Sequence, residues 1–135
     1  MASFKTTYLS NLLLNCLYGG AAFDSAIPAT IYAIPYTAAP TVAGGGTEYT
    51  ASGLSRASVT RNTTNFPTSS AATISNATAI SFGTPATGAT VVGIGWIDAS
   101  SGGNLLSYGD LDVPKVVTGG VAFTMQIGSF VGTEA

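Results

Sequence analysis

The clearest helical pattern in the chain lies at its start. Leu9, Leu12, Leu13, Cys16 and Leu17 recur at i, i+3, i+4, i+7 and i+8, the spacing of one face of an α-helix. Thr6 or Thr7 carries the hydroxyl to cap the first turn, and Gly19-Gly20 has the backbone freedom to end the last. Asn11 and Asn15 fall on the far side. Leu14 and Tyr18 stand outside the main stripe, and with Tyr8 they are the candidate interface residues. A wide core-facing stripe is the competing reading of the same positions.

From residue 28 onward the period shortens to that of strands and turns. Residues 30–36 predict a first strand, placed at a sheet edge by Pro28 and Pro35 at its borders. Residues 37–49 carry Pro40 and Gly44-Gly45-Gly46 and predict a loop. A short strand over 54–60 follows, then an irregular polar stretch over 61–70. A further strand over 73–82 is anchored by Ile74 and Ile80. Residues 89–97 and 105–111 predict a hairpin, joined by the 98–104 loop Asp-Ala-Ser-Ser-Gly-Gly-Asn. In its first strand Val92, Ile94 and Trp96 point one way, and Val91, Gly93, Gly95 and Ile97 the other. Alternating glycines predict a close neighbour on that face, either an aromatic ring such as Tyr108 or another backbone. Pro114 ends the second strand, and 121–127 forms the last, with Val121, Phe123, Met125 and Ile127 in alternation.

One short helix followed by about seven closely spaced strands predicts an all-β fold, a β-sandwich with a short N-terminal α-helix. A single domain is expected over 1–135, with 1–20 as the helical segment and 28–135 as the sandwich.

Composition changes the picture in one respect. Only 7% of the 135 residues are charged, although 46% are apolar, against about 25% charged in ordinary soluble domains. The abundance of β-branched and aromatic residues argues against disorder. The surface must therefore be built from Thr, Ser, Asn and Gly, and such a surface has little charge repulsion to keep copies apart. That favours life inside an assembly. Lys5, Arg56, Arg61 and Lys115 are scattered and the net charge is −2, so no nucleic-acid partner is expected. No apolar run reaches the length of a membrane span, and no membrane partner is expected. Asn11 and Asn15 interrupt the early apolar stretch, so it is not read as a signal peptide. Cys16 is a single cysteine, read as structural and buried. Asn62 and Asn76 each head a glycosylation sequon, read instead as Thr-rich strand edges.

No catalytic constellation emerges, and no enzyme is expected. The chain has no histidine, which excludes Ser-His-Asp and Cys-His catalysis and most zinc sites. The six carboxylates, Asp24, Glu48, Asp98, Asp110, Asp112 and Glu134, are dispersed. Asp110 and Asp112 share a strand face, but two carboxylates make too small a set for calcium, and a solvated turn is the reading kept. Gly44-Gly45-Gly46-Thr47 lacks the lysine of a phosphate-binding loop, and Gly93-Ile94-Gly95 lies within a strand pattern. Trp96, Tyr32, Tyr36 and Tyr108 are read as core aromatics rather than a sugar platform. No catalytic residue, cofactor or metal ligand is assigned.

The hairpin carries a resemblance. Residues 92–111, Val-Gly-Ile-Gly-Trp-Ile-Asp-Ala-Ser-Ser-Gly-Gly-Asn-Leu-Leu-Ser-Tyr-Gly-Asp-Leu, followed by Pro114-Lys115 and a last strand over 121–128, resemble a family of short tailed-bacteriophage virion structural proteins. These are loosely labelled head-decoration, minor-tail or tail-fiber-like. Residues 54–59, Leu-Ser-Arg-Ala-Ser-Val, are similar to the family's Tyr-Ala-Arg-x-x-Val strand, with Leu54 and Ser55 departing from it. Tyr8 to Leu14 is similar to its helix, and the loop with Pro40 has its counterpart too. The resemblance spans nearly the whole chain and is most specific over 98–111.

What the resemblance implies is a virion building block, made in the bacterial host cytoplasm. The first expectation is a capsid decoration or cement protein on the capsid exterior. As a dimer or trimer it would brace the major capsid protein lattice with added buried interface. The alternative is a minor tail, tail-fiber or baseplate-associated subunit that contacts tail proteins or a host receptor. A free bacterial carbohydrate-binding module is a third reading, by fold analogy.

Overall fold

The computed structural model describes residues 2–22 and 27–134. A short strand, β1 (Ala2–Lys5), leads into the helix α1 (Thr7–Gly19). Thr6 between them is buried, and it joins the two elements to the sheet. Its Oγ1 accepts from the backbone N–H of Leu9 at 3.2 Å and donates toward the carbonyls of Leu105 and Leu106 at 2.6 and 2.9 Å. Gly20 ends the helix in the left-handed region at φ 70°, a conformation that costs other residues strain. The predicted helix and its caps are thus observed. Its packing is looser than expected, however, because no residue of α1 is fully buried. Leu9, Leu12, Leu13 and Cys16 are half-buried, and Leu17 of the predicted stripe is 72% exposed.

Nine strands follow: β2 (Thr30–Ala38), β3 (Thr47–Glu48), β4 (Ala57–Thr60), β5 (Thr73–Ser75), β6 (Ile80–Gly83), β7 (Ala89–Ile97), β8 (Leu105–Val117), β9 (Phe123–Met125) and β10 (Val131–Thr133). A six-stranded antiparallel sheet has the order β1-β8-β7-β2-β3, with β4 also paired to β2, and two small sheets pair β5 with β10 and β6 with β9. The fold is all-β and sandwich-like with one N-terminal helix, as the pattern predicts, but with ten strands among the described residues.

Several local expectations are corrected. β2 lies inside the sheet, between β7 and the β3/β4 pair. Pro35 lies between the end of the β4 pairing, Ala33 opposite Ala57, and the start of the β3 pairing, Tyr36 opposite Glu48; its carbonyl still accepts from the Tyr49 N–H at 2.8 Å, so the strand forgoes a single donor there. Residues 37–49 are not all loop, since β2 runs to Ala38 and β3 pairs with it. The predicted 73–82 strand is two strands belonging to different sheets. Pro114 does not end β8. The ladder jumps from Gly93 opposite Asp110 to Val91 opposite Lys115, and the proline sits in the resulting bulge. That irregularity also resets the alternation of β7, so that Val91 joins Ile94 and Trp96 in the core. Residues 121–127 shrink to the three of β9, and β1 and β10 are strands that the pattern did not announce.

The main core lies between the large sheet and the small ones. Ala33, Val59, Ile94 and Trp96 face Ile80, Phe82, Phe123 and Met125 across it. Phe82 and Phe123 stack with ring centroids 4.9 Å apart, and Trp96 meets Phe66 and Phe130 edge-on at 5.5 and 5.3 Å. On the other face of the sheet, Ile34, Tyr36 and Ile97 form a second cluster with Tyr32 and Leu105. Here the glycines of β7 find their reason. A Cβ at Gly95 would stand 2.7 Å from the Tyr36 ring, and one at Gly93 would stand 2.8 Å from the Gly109 carbonyl oxygen. The close neighbours are therefore a ring and a backbone, but the ring is Tyr36. Tyr108 packs instead on Phe4, centroids 5.3 Å apart.

Candidate functional site

The hairpin loop between β7 and β8 is closed from within and clamped from outside. The Asp98 carboxylate accepts from the backbone N–H of Asn104 at 2.6 Å and from its Nδ2 at 3.0 Å. Gly103 lets the chain pass so near, since a Cβ there would meet Asp98 Oδ1 at 2.5 Å. Arg56, just before β4, reaches across. Its Nε and Nη2 donate to the two carboxylate oxygens of Glu48, both at 2.9 Å, and its Nη1 donates to the carbonyls of Ala99 and Gly102, also at 2.9 Å. The planar guanidinium suits this fork, where an ammonium would not. The hydrogen bond to Glu48 holds the Arg56 pKa above its ordinary value, against the opposing effect of its burial. Tyr36 nearby is pushed up from 10.0, first by burial and then by the Glu48 charge.

Arg56 is one of four scattered basic residues in the sequence, and nothing in its spacing announces this role. The signal available was that Arg56 and Asp98 to Asn104 each lie in a stretch carrying the family resemblance. Spacing alone could not show that the two stretches touch. Two of the other three basic residues also have local work. Lys5 pairs with Glu134, tying β1 to the chain after β10, and Arg61 donates to the carbonyls of Pro28 and Ile27 at 2.7 and 2.8 Å.

A second feature lies under the helix. Leu9 and Leu13 of α1 form one wall of an apolar cleft of about 600 Å³, with Trp96, Leu106, Phe130 and Ile74 among the residues opposite and Lys5 and Glu134 also lining it. Trp96 is buried, and its Nε1 donor has no acceptor among the described residues. Asn76 fixes the far wall. Its Nδ2 donates to the carbonyls of Thr78 and Gln126, both at 2.9 Å, and its Oδ1 accepts from the N–H of Phe130 at 3.0 Å. This sequon asparagine is 1% exposed, a buried bracket rather than a strand edge. Asn62, in the other sequon, accepts from the backbone of Thr64 and Asn65 in a turn.

The three candidate interface residues all lie on α1 and all face solvent: Tyr8 at 37%, Leu14 at 54% and Tyr18 at 80% exposure. Trp96, Tyr36 and Tyr108 are buried, as expected of core aromatics, and Tyr32 is half-buried. Cys16 is half-buried rather than enclosed. Asp110 and Asp112 are exposed at the β8 bulge, and Asp24 lies outside the described residues. No three potential metal ligands gather among the described residues, and no described helix is long and apolar enough to cross a membrane.

The helix, the Arg56 clamp and the closed hairpin all fall within one family match. The family model described as podophage GP4 fiber I protein gp80 matches residues 5–133, whereas no curated protein matches the chain. That span takes in nearly every described residue. The chain therefore belongs to the Gp80 family of podophage fiber proteins, and it is a bacteriophage virion structural protein of the fiber or tail-associated type.

Proposed function

We propose that the protein is a subunit of a short fiber at the phage tail, with a mechanical rather than a catalytic role. The observation that carries this reading is the family match over residues 5–133, which includes the helix with its exposed Tyr8, Leu14 and Tyr18. Its contribution is surface: a rigid sandwich with a hairpin locked by Arg56, presenting an uncharged face to other virion proteins. The decoration role on the capsid lattice rests on the loosely labelled resemblance, the short single-domain chain and the low surface charge, and each of these serves a fiber equally well.

Copy number per virion tests the proposal, measured by quantitative mass spectrometry of purified particles against the major capsid protein. A few to a few dozen copies per particle are expected, with antibody label at the tail. Hundreds of copies, in a simple ratio to the capsid protein, would overturn the fiber reading in favour of decoration.

A further inference from the structure

Helix α1 reads nearly the same in both directions. Residues 8–18 are Tyr-Leu-Ser-Asn-Leu-Leu-Leu-Asn-Cys-Leu-Tyr, a palindrome about Leu13 broken only where Ser10 mirrors Cys16. The fold orients this palindrome. Leu13 points into the cleft beneath the helix. At about 100° per residue, Asn11 and Asn15 lie about 20° either side of the direction opposite Leu13, and Tyr8 and Tyr18 about 40° either side. All four are exposed. The outward face is therefore symmetric in residue identity about its own midpoint, with Tyr18 at 80% exposure standing freer than Tyr8 at 37%.

We propose that this face is an interface for a second copy of the chain, with the two helices packed antiparallel across a two-fold axis at Leu13. In that register Asn11 meets Asn15 of the other copy, and Tyr8 meets Tyr18, twice over. Each amide carries both donors and acceptors, so an Asn–Asn contact satisfies itself, and a buried Asn pair fixes register. The tyrosines gain ring contact at either end. An isologous pair requires a surface complementary to itself, and a palindromic stripe makes every such contact like with like.

Charge sets the direction. α1 has no acidic residue in its first turn and no basic residue in its last, so its own side chains leave the helix dipole uncompensated. An antiparallel copy places each helix start beside the other's end. The area is sufficient. Tyr8, Asn11, Leu14, Asn15 and Tyr18 offer at most roughly 500 Å² per chain, so the pair buries up to about 1,000 Å², the lower bound for a specific interface. This is a modest dimer, strengthened wherever copies are held close together in a particle. The pairing is a property of the isolated chain and does not depend on where the virion carries it.

Sedimentation equilibrium of the full chain over about two decades of concentration tests the proposal, with two double variants at exposed positions. The wild type should approach the mass of two chains. Asn11→Glu with Asn15→Glu sets like charges opposite each other and should raise the dissociation constant at least tenfold. Asn11→Lys with Asn15→Glu sets opposite charges together only in the antiparallel register and should keep or tighten the dimer. Circular dichroism checks that both variants keep the fold. A single-chain or three-chain mass for the wild type overturns the proposal, as does equal weakening by the two variants.

Discussion

Replacing Asn76 tests whether the cleft wall is held as described. The side chain is 1% exposed and joins three backbone groups: the carbonyls of Thr78 and Gln126 and the N–H of Phe130. Each such hydrogen bond contributes about 1 kcal/mol net, and a stranded buried partner costs about 1–3 kcal/mol unless water reaches it. Asn76→Ala should therefore destabilise the fold by about 3 kcal/mol. For a domain of this size that lowers the melting midpoint by about 10–15 °C. Asn76→Asp sharpens the argument. It keeps the acceptor for Phe130 but turns a carboxylate oxygen toward two carbonyls, so at neutral pH it should destabilise at least as much as alanine. Burial raises the folded pKa of such a carboxyl. The deficit should then shrink as pH falls through that value, when the protonated acid can donate. Thermal melts by circular dichroism at pH 7 and pH 4.5, each read against wild type, measure both effects. A loss below about 1 kcal/mol for alanine, or an aspartate deficit that ignores pH, would refute the bracket.

Two further predictions concern the hairpin clamp and its neighbour. Arg56→Ala should cost about 2–3 kcal/mol and speed amide exchange over residues 98–104, with Arg56→Lys recovering only part because it cannot fork; unchanged exchange in the alanine variant would show that Asp98 holds the loop unaided. Tyr36 keeps its proton more tightly in the folded chain than the ordinary value of 10.0 implies, so its contribution to stability is complete below that pH and is lost as pH rises through the higher folded value. Tyr36→Phe should therefore flatten the alkaline fall in melting midpoint, and parallel curves for variant and wild type would sink that account.

Local pattern determined the elements whose signals are local. The helix, with Thr6 or Thr7 to cap it and Gly19-Gly20 to end it, the hairpin turning over 98–104, and the all-β class were all legible from periodicity and turn residues; the choice of Thr6 and Gly20 was not. The close approach at Gly93 and Gly95 was legible too, because a missing Cβ marks crowding whatever supplies it. What supplied it was not: Tyr36 comes from β2, a strand remote in the chain, and only the sheet order sets it beside β7. β1 and β10 carry no sequence signature, because four and three residues are too few to display a period. Their pairing with β8 and β5 is decided by the rest of the fold.

The candidate site divides the same way. Tyr8, Leu14 and Tyr18 could be singled out from helical spacing, but an amphipathic pattern cannot say how much of a helix a sheet will cover. Contacts between distant segments decided that Leu13 faces the cleft and that Arg56 grips the hairpin. They also decided that Asn76 is a buried bracket. The palindrome of residues 8–18 was written in the sequence throughout. It acquired a direction only when tertiary packing turned Leu13 inward and left the two asparagines and two tyrosines facing out.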